Sequence, residues 1–172
     1  FGAHAVDNIN SIRLSGRVPG GSIEPFEMLC KDFANLSPEV RLFTASWLDG
    51  YSSPDNGAGM FIPGDAKDFL KELSKVCAAN PNKVINDVIE TVQYGNSSEP
   101  VPPRCVYLNT LESETQAGLL ITWAMGYVIN GDANAPDVIN FDELSTVANA
   151  IINQCKTTPA ANVLELVEKE LN

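Results

Sequence analysis

Apolar side chains recur at helical spacing through most of the chain after residue 30. One such stripe runs from Val40 through Phe43 to Trp47, directly after the segment Ser37-Pro38-Glu39. That segment has a hydroxyl cap, a proline at the first helical position and an acid in the first turn, so it predicts a helix start. Gly50 predicts the end of the same helix. Five further stripes predict helices at Phe69, Leu70, Leu73, Val76 and Cys77; at Val84, Ile85, Val88, Ile89 and Val92; at Leu119, Leu120 and Trp123; at Phe141, Leu144, Val147, Ala148 and Ile151; and at Val163, Leu166 and Val167.

Local signals add two predicted helix starts. Asp65 is placed to cap the helix that contains Phe69, and Asn80-Pro81 is placed to begin the next one. The alternation of apolar and polar residues that is typical of a strand is almost absent after residue 30. Residues 1–29 are the exception, and this N-terminal arm is predicted to be partly extended or flexible. The predicted fold class is all-α.

The frame W-x-x-G-Y occurs twice, and the two copies use both tryptophans of the chain. Each frame lies between two cysteines, and a proline (Pro81 or Pro159) follows the second cysteine by four residues. We infer a tandem duplication of a small helical unit, with unit one at 30–94, a linker at 95–103 and unit two at 104–172. The prolines of the linker predict that its later part is stiff. The two frames consist of Trp47, Gly50 and Tyr51, and of Trp123, Gly126 and Tyr127.

The four cysteines allow three disulfide pairings. The repeat favours the pairing that closes each unit on itself, Cys30–Cys77 and Cys105–Cys155. Closing a loop of about 50 residues stabilises a fold by about 4 kcal/mol in the chain-entropy model, which is comparable to the whole stability of so small a unit. Disulfides of this kind predict an oxidising compartment, the periplasm or the exterior. The alternative is four buried thiols in a cytosolic protein.

The negative net charge of the chain argues against two classes of binding partner, nucleic acids and anionic membranes. The 172 residues contain 11 Lys and Arg against 22 Asp and Glu, which gives a formal net charge of −11. Nucleic acids and anionic membrane surfaces attract basic proteins, so we expect neither as a partner. Continuous apolar runs of 18 residues or more do not occur in the sequence, and we expect no insertion into a membrane.

The sequence offers little for catalysis. His4 is the only histidine, and it stands in the arm, so Ser-His-Asp and Cys-His arrangements have no base. The cysteines lack the close spacing of a zinc-ligand pair or of a redox C-x-x-C. We therefore predict that the protein is not an enzyme and holds no cofactor or metal.

The segment 132–143 resembles a calcium-binding loop in part. Asp132, Asn134 and Glu143 fall at loop positions 1, 3 and 12. Position 6 is Asp137, however, where the sharp turn of such a loop requires glycine. A loop that caps the following helix is the better interpretation.

Three stretches of unit one resemble the HdeA/HdeB family of small periplasmic proteins: "CKDFANL" at 30–36, "WLDGY" at 47–51 and "FLKELSKVCAANP" at 69–81. Unit two resembles a degenerate copy of the same pattern. The resemblance implies a compact four-helix fold with one bridging disulfide per unit. The predicted architecture is thus two tandem, disulfide-stapled, HdeA-like units of four helices, which would form a pseudo-dimer within one chain.

The resemblance also implies the activity of an acid-activated holdase chaperone. If all carboxylates protonate and His4 becomes charged, the formal charge moves from −11 to about +12. Self-repulsion would then loosen the fold and expose apolar surface to unfolded client proteins. For Trp47, Tyr51, Trp123 and Tyr127 the alternative is packing in the core or between units. The predicted client-binding residues are Phe43, Trp47, Tyr51, Leu120, Trp123 and Tyr127.

Two other functions are compatible with the sequence. One is an immunity-type protein of the same compartment that recognises one specific protein partner at neutral pH. The other is a carrier with an apolar cavity for a small ligand between the helices of each unit. The holdase differs from both because its activity depends on acid.

Overall fold

The computed structural model describes residues 21–52, 59–95 and 98–172. These residues form a mostly helical fold, so the all-α prediction is confirmed. We call 21–95 the front half and 98–172 the back half; each contains four α-helices. The elements are β1 (Ser22–Ile23), α1 (Cys30–Ala34), α2 (Pro38–Ser52), α3 (Asp65–Ala79), α4 (Ile85–Val88), α5 (Cys105–Thr110), α6 (Glu114–Asn130), β2 (Ile139–Asn140), α7 (Phe141–Cys155) and α8 (Val163–Leu171), with a short 3₁₀ helix at Ile89–Thr91.

Two helix boundaries near the front of the chain differ from the prediction. Gly50 does not end α2, which continues to Ser52, because this glycine serves a packing contact inside the helix. Asp65 is not the cap of α3 but its first residue. The capping position belongs to Gly64, whose φ of 87° suits glycine. The Asp65 carboxylate lies in the first turn, at the positive end of the helix dipole.

The segment Asn80-Pro81 does not begin a helix, because its backbone is engaged elsewhere. The carbonyl of Pro81 accepts a hydrogen bond from the backbone N–H of Lys31 at 3.0 Å, and helix α4 begins only at Ile85. The back half repeats the arrangement: Val106 N–H donates to the carbonyl of Pro159 at 2.9 Å. The proline after each second cysteine thus provides the acceptor that fixes the start of a cysteine-bearing helix.

Each disulfide lies within one half. Cys30 bonds to Cys77 and joins α1 to α3, while Cys105 bonds to Cys155 and joins α5 to α7. This is the pairing that the repeat favours, and all four cysteines are buried. The covalent staples therefore hold each half together and leave the contact between halves to noncovalent forces.

The segments that lead into each half cross to the other one. In front of Cys30, β1 pairs antiparallel with β2 of the back half. In front of Cys105, Val101 forms an antiparallel bridge with Phe61 of the front half, through N–H···O contacts of 2.9 and 2.7 Å. This reciprocal exchange of short segments ties the two halves to each other on both sides.

Helices α2 and α6 form the centre of a continuous apolar core. Residues 43–50 of α2 and 120–126 of α6 are buried without interruption. Helix α3 packs on α2, and α7 and α8 pack on α6. A helix that is buried on all sides has apolar residues around its whole circumference. For this reason the central segments of α2 and α6 do not have a continuous polar face.

Two glycines allow the backbones of α2 and α6 to touch where they cross. A Cβ atom on Gly50 would overlap the backbone carbonyl of Trp123, and one on Gly126 would overlap that of Trp47. The contacts are reciprocal, so each W-x-x-G-Y frame supplies the glycine for one contact and the tryptophan carbonyl for the other. These reciprocal contacts explain why the W-x-x-G-Y frame occurs in both helices.

We predict that Gly50→Ala and Gly126→Ala each destabilise the protein by about 3 kcal/mol or more, since the added methyl group must push two helix backbones apart. Gly131→Ala is the matched control, because its Cβ would lie 3.5 Å from the nearest atom, the carbonyl of Val128. Urea unfolding followed by circular dichroism measures all three. Equal stability of Gly50→Ala and Gly131→Ala would contradict the close crossing.

Candidate functional site at the helix crossing

Aromatic rings line both sides of the crossing. In the front half Trp47 stacks on Tyr51 with ring centroids 5.2 Å apart and an interplanar angle of 25°. Phe26 presents its edge to both rings, at 6.1 and 5.0 Å. In the back half Trp123 lies 5.5 Å from Tyr127. The crossing is therefore bordered by two aromatic clusters, one on each helix.

A front-half residue completes the second cluster. The ring of Phe61 meets Trp123 edge-on at 5.4 Å. Phe61 reaches this position because its backbone is bridged to Val101, near the start of the back half. Separation of the halves would remove this contact and uncover one face of Trp123.

The predicted client-binding residues are mostly inaccessible in this structure. The four that are fully buried are Phe43, Trp47, Leu120 and Trp123, with at most 1% of their surface exposed. Tyr51 and Tyr127 are partly exposed. Together the six residues form internal packing around the crossing, and their role in binding clients stays a prediction.

Side-chain hydrogen bonds also join the two halves. Ser46 Oγ donates to the carbonyl of Leu119 at 2.7 Å, and Asn130 Nδ2 donates to the carbonyl of Tyr51. The Tyr51 hydroxyl donates to Asp137 Oδ2 at 3.2 Å. Partial desolvation and the nearby Asp137 carboxylate raise the pKa of Tyr51. The bond to Asp137 is charge-assisted, so it weakens when that carboxylate is protonated.

Trp47 carries a buried polar group without a partner in the described part of the chain. The indole Nε1–H of Trp47 finds no acceptor among the described residues, although the side chain is fully buried. Leaving a buried donor unsatisfied costs about 1–3 kcal/mol. The packed position of Trp47 is therefore less favourable than its burial alone suggests.

A buried acid stands beside the crossing. Asp49 is only 3% exposed, and its Oδ1 accepts a 2.6 Å hydrogen bond from the hydroxyl of Tyr94. Desolvation raises the pKa of Asp49 to about 7; the bond from Tyr94 opposes this rise, and the charge of Asp65 adds to it. Burial and the neighbouring Asp49 also raise the pKa of Tyr94. Asp49 is thus a proton-binding group inside the core.

Sequence reasoning missed Asp49. The signal was present, because "WLDGY" has an acid at the position where "WAMGY" has Met125. Met125 is 2% exposed, so both positions are core positions. Comparison of the two frames could have identified the acid as buried.

The segment 132–143 has a structural role. Asn140 caps α7 by accepting a hydrogen bond from Glu143 N–H at 3.0 Å, as expected for a helix-capping loop. Among the described residues no cluster of His, Cys, Asp and Glu is arranged to hold a metal ion. His4 lies outside the described residues. None of the helices in the described ranges is long and apolar enough to cross a membrane.

Comparison with known proteins identifies one family. The model of the HdeA/HdeB family matches residues 3–87, which include α1, α2, α3 and both cysteines of the front half. No match was found among curated proteins or among solved structures. Since the family match ends before the back half, the duplication and the boundaries 30–94 and 104–172 stay predictions.

Asp49 should make stability depend on pH. Its folded pKa of about 7 lies above the ordinary value of 3.8 for an aspartate side chain, so its contribution to stability is fully present below pH 3.8 and is lost as pH rises through 7. The difference corresponds to about 4 kcal/mol as an upper limit. We predict that Asp49→Asn is more stable than the parent protein at pH 8 and loses this part of the pH dependence.

Urea unfolding at pH 5 and pH 8 measures the effect. Asp87→Asn, which removes an exposed carboxylate of α4, is the control for the change in net charge. If Asp49→Asn and Asp87→Asn change stability equally at pH 8, the buried acid does not carry the predicted cost.

Proposed function

The chain belongs to the HdeA/HdeB family through its residues 3–87, and on that premise we propose that it is an acid-stress holdase of the periplasm. The coarser statement, an exported chaperone-like protein rather than an enzyme, agrees with its two disulfides and its family. In the proposal, acid separates the two halves, and the apolar faces of α2 and α6 then bind unfolded clients.

One observation carries the proposal: the apolar crossing lies between the halves, while both disulfides lie within them. Separation would uncover the tryptophans without breaking a covalent bond. The staples would limit further unfolding of each half. Because the two halves belong to one chain, reclosing at neutral pH would be intramolecular and therefore favoured.

Acid removes favourable interactions at the starts of the longer helices. Carboxylates in the first turn stabilise a helix by about 0.3–1 kcal/mol each through the helix dipole, and protonation abolishes this term. These residues are Glu39 of α2, Asp68 of α3, Glu114 of α6, Asp142 and Glu143 of α7, and Glu165 of α8. Asp65 of α3 does not belong with them, because burial and the charge of Asp68 raise its pKa, so its protonation favours the folded state. The combined loss of the dipole interactions, together with the Tyr51–Asp137 bond, supports acid opening.

Asp49 acts in the opposite direction. Acidification from pH 7 to pH 4 protonates this buried group in the folded state and so stabilises the fold. Opening therefore requires the loss of the other carboxylate interactions, which is complete only below about pH 3. The net charge of about +12 would then keep protein–client complexes soluble.

We predict that the protein suppresses aggregation of an unrelated acid-denatured protein at about pH 2–3 and has no such effect at pH 7. Acrylamide quenching of tryptophan fluorescence should rise over the same pH range, because both tryptophans are buried in the closed structure. Trp47→Phe and Trp123→Phe assign the signal to one helix each. Unchanged quenching down to pH 2, without suppression of aggregation, would refute the holdase.

A crosslink between the halves tests the opening step. Phe61 and Val101 lie directly opposite each other and exchange two backbone hydrogen bonds. The Cα atoms of such a pair are about 5.5 Å apart, a distance that a disulfide can span. Phe61→Cys with Val101→Cys should reduce holdase activity when oxidised. Phe61→Ser with Val101→Ser loses the same side chains without the crosslink and should remain active. Equal activity of the two variants would show that the halves need not separate.

A further inference from the structure

The back half has a surface groove that neither tryptophan lines. It lies between the end of α6, the loop at 131–138 and the outer side of α8, and its volume is about 730 Å³. This volume is in the range of ligand-binding sites. Tyr127 is one of the lining residues. Half-buried apolar side chains also line the groove, and we call them its floor: Val128, Ile129, Val138, Leu164 and Leu171.

The charged side chains that line the groove are all acidic among the described residues. These four acids, Asp132, Glu143, Glu165 and Glu168, are all exposed, and we call them its rim. Among the described residues that line the groove there is no lysine or arginine. Within the same described part of the chain, the ion pair found is Glu72–Lys75, which belongs to α3. Because they are exposed, the rim carboxylates can meet an external cation.

We propose that this groove binds a basic amphipathic helix of a partner protein at neutral pH. Apolar side chains of that helix would cover the floor, and flanking Lys or Arg side chains would meet the rim. This surface goes beyond the holdase activity, since it is open without acid and lies apart from the two tryptophans.

The dimensions favour a helix over a small amine. Leu164 and Leu171 are seven residues apart on α8, which is about 10 Å or two helical turns. Glu165 and Glu168 stand one turn apart between them. A single ammonium group would meet one or two of the four carboxylates, whereas a helix of three or more turns presents cations along the whole rim.

The probe is a fluorescent peptide of about 15 residues made of Leu and Lys, with the Leu residues on one helical face. Its binding to the full chain is measured by fluorescence anisotropy at pH 7. A peptide of the same composition with Leu spread around the helix is the peptide control. We expect binding of the amphipathic peptide to be at least about tenfold tighter than that of the control.

Paired variants separate the groove from general attraction to an acidic protein. Glu165→Lys with Glu168→Lys reverses the rim and should weaken binding at least about tenfold. Glu90→Lys with Glu99→Lys makes the same change in net charge at exposed positions that do not line the groove, and it should have little effect. Leu164→Gln with Leu171→Gln tests the floor without a change of charge and should also weaken binding. Circular dichroism verifies that each variant is folded.

Three results would overturn the proposal. Equal loss in the Glu165/Glu168 and Glu90/Glu99 variants would mean general electrostatic attraction. An affinity that rises at least about tenfold on Arg13→Ser with Arg17→Ser would identify the N-terminal arm of this chain as the occupant. A dimer in sedimentation that the Glu165/Glu168 variant dissociates would identify a second copy. Since all measurements are made at pH 7, none depends on the outcome of the holdase assay.

Discussion

The direct contact of two helix backbones at Gly50 and Gly126 is the constraint on which the rest of the fold depends. A glycine inside a helix costs about 1 kcal/mol relative to alanine, so each must be offset by packing. The offset is the close approach itself, which buries the centre of α2 and α6 on all sides. Because tryptophan precedes glycine by about one turn, the same crossing places both indoles in the core.

The molecule combines two kinds of connection. Covalent staples act within each half, whereas the contact between halves consists of apolar packing, a few hydrogen bonds and the exchange of short lead segments. Noncovalent contacts respond to solvent conditions, and disulfides in an oxidising compartment do not. In the proposed holdase, the interface between halves is therefore the part of the structure that acid opens.

Carboxylates respond to acid in three different settings. Protonation of the buried Asp49 stabilises the fold. Protonation of carboxylates such as Glu39 and Glu114 removes their favourable interaction with the helix dipole. Protonation of the groove rim would remove its attraction for cations. The proposed groove would hence release a basic partner in the acidic range where the crossing is proposed to open. The two proposed surfaces would serve the protein at different pH values.

Local sequence patterns determined most of the secondary structure and the pairing of the cysteines. Apolar periodicity depends only on near neighbours, and the repeated spacing of Cys, W-x-x-G-Y and Pro indicated which cysteines belong together. The same patterns misplaced the end of α2 at Gly50 and the start of α4 at Asn80-Pro81. In both cases the conformation depends on contact with a backbone segment far away in the sequence, at Trp123 and at Lys31. Tertiary structure alone decided that two helices touch, that Asp49 is buried against Tyr94, and that α8 leaves an acidic groove open. These features join residues far apart in the chain, and their energies depend on burial, which no short stretch of sequence specifies.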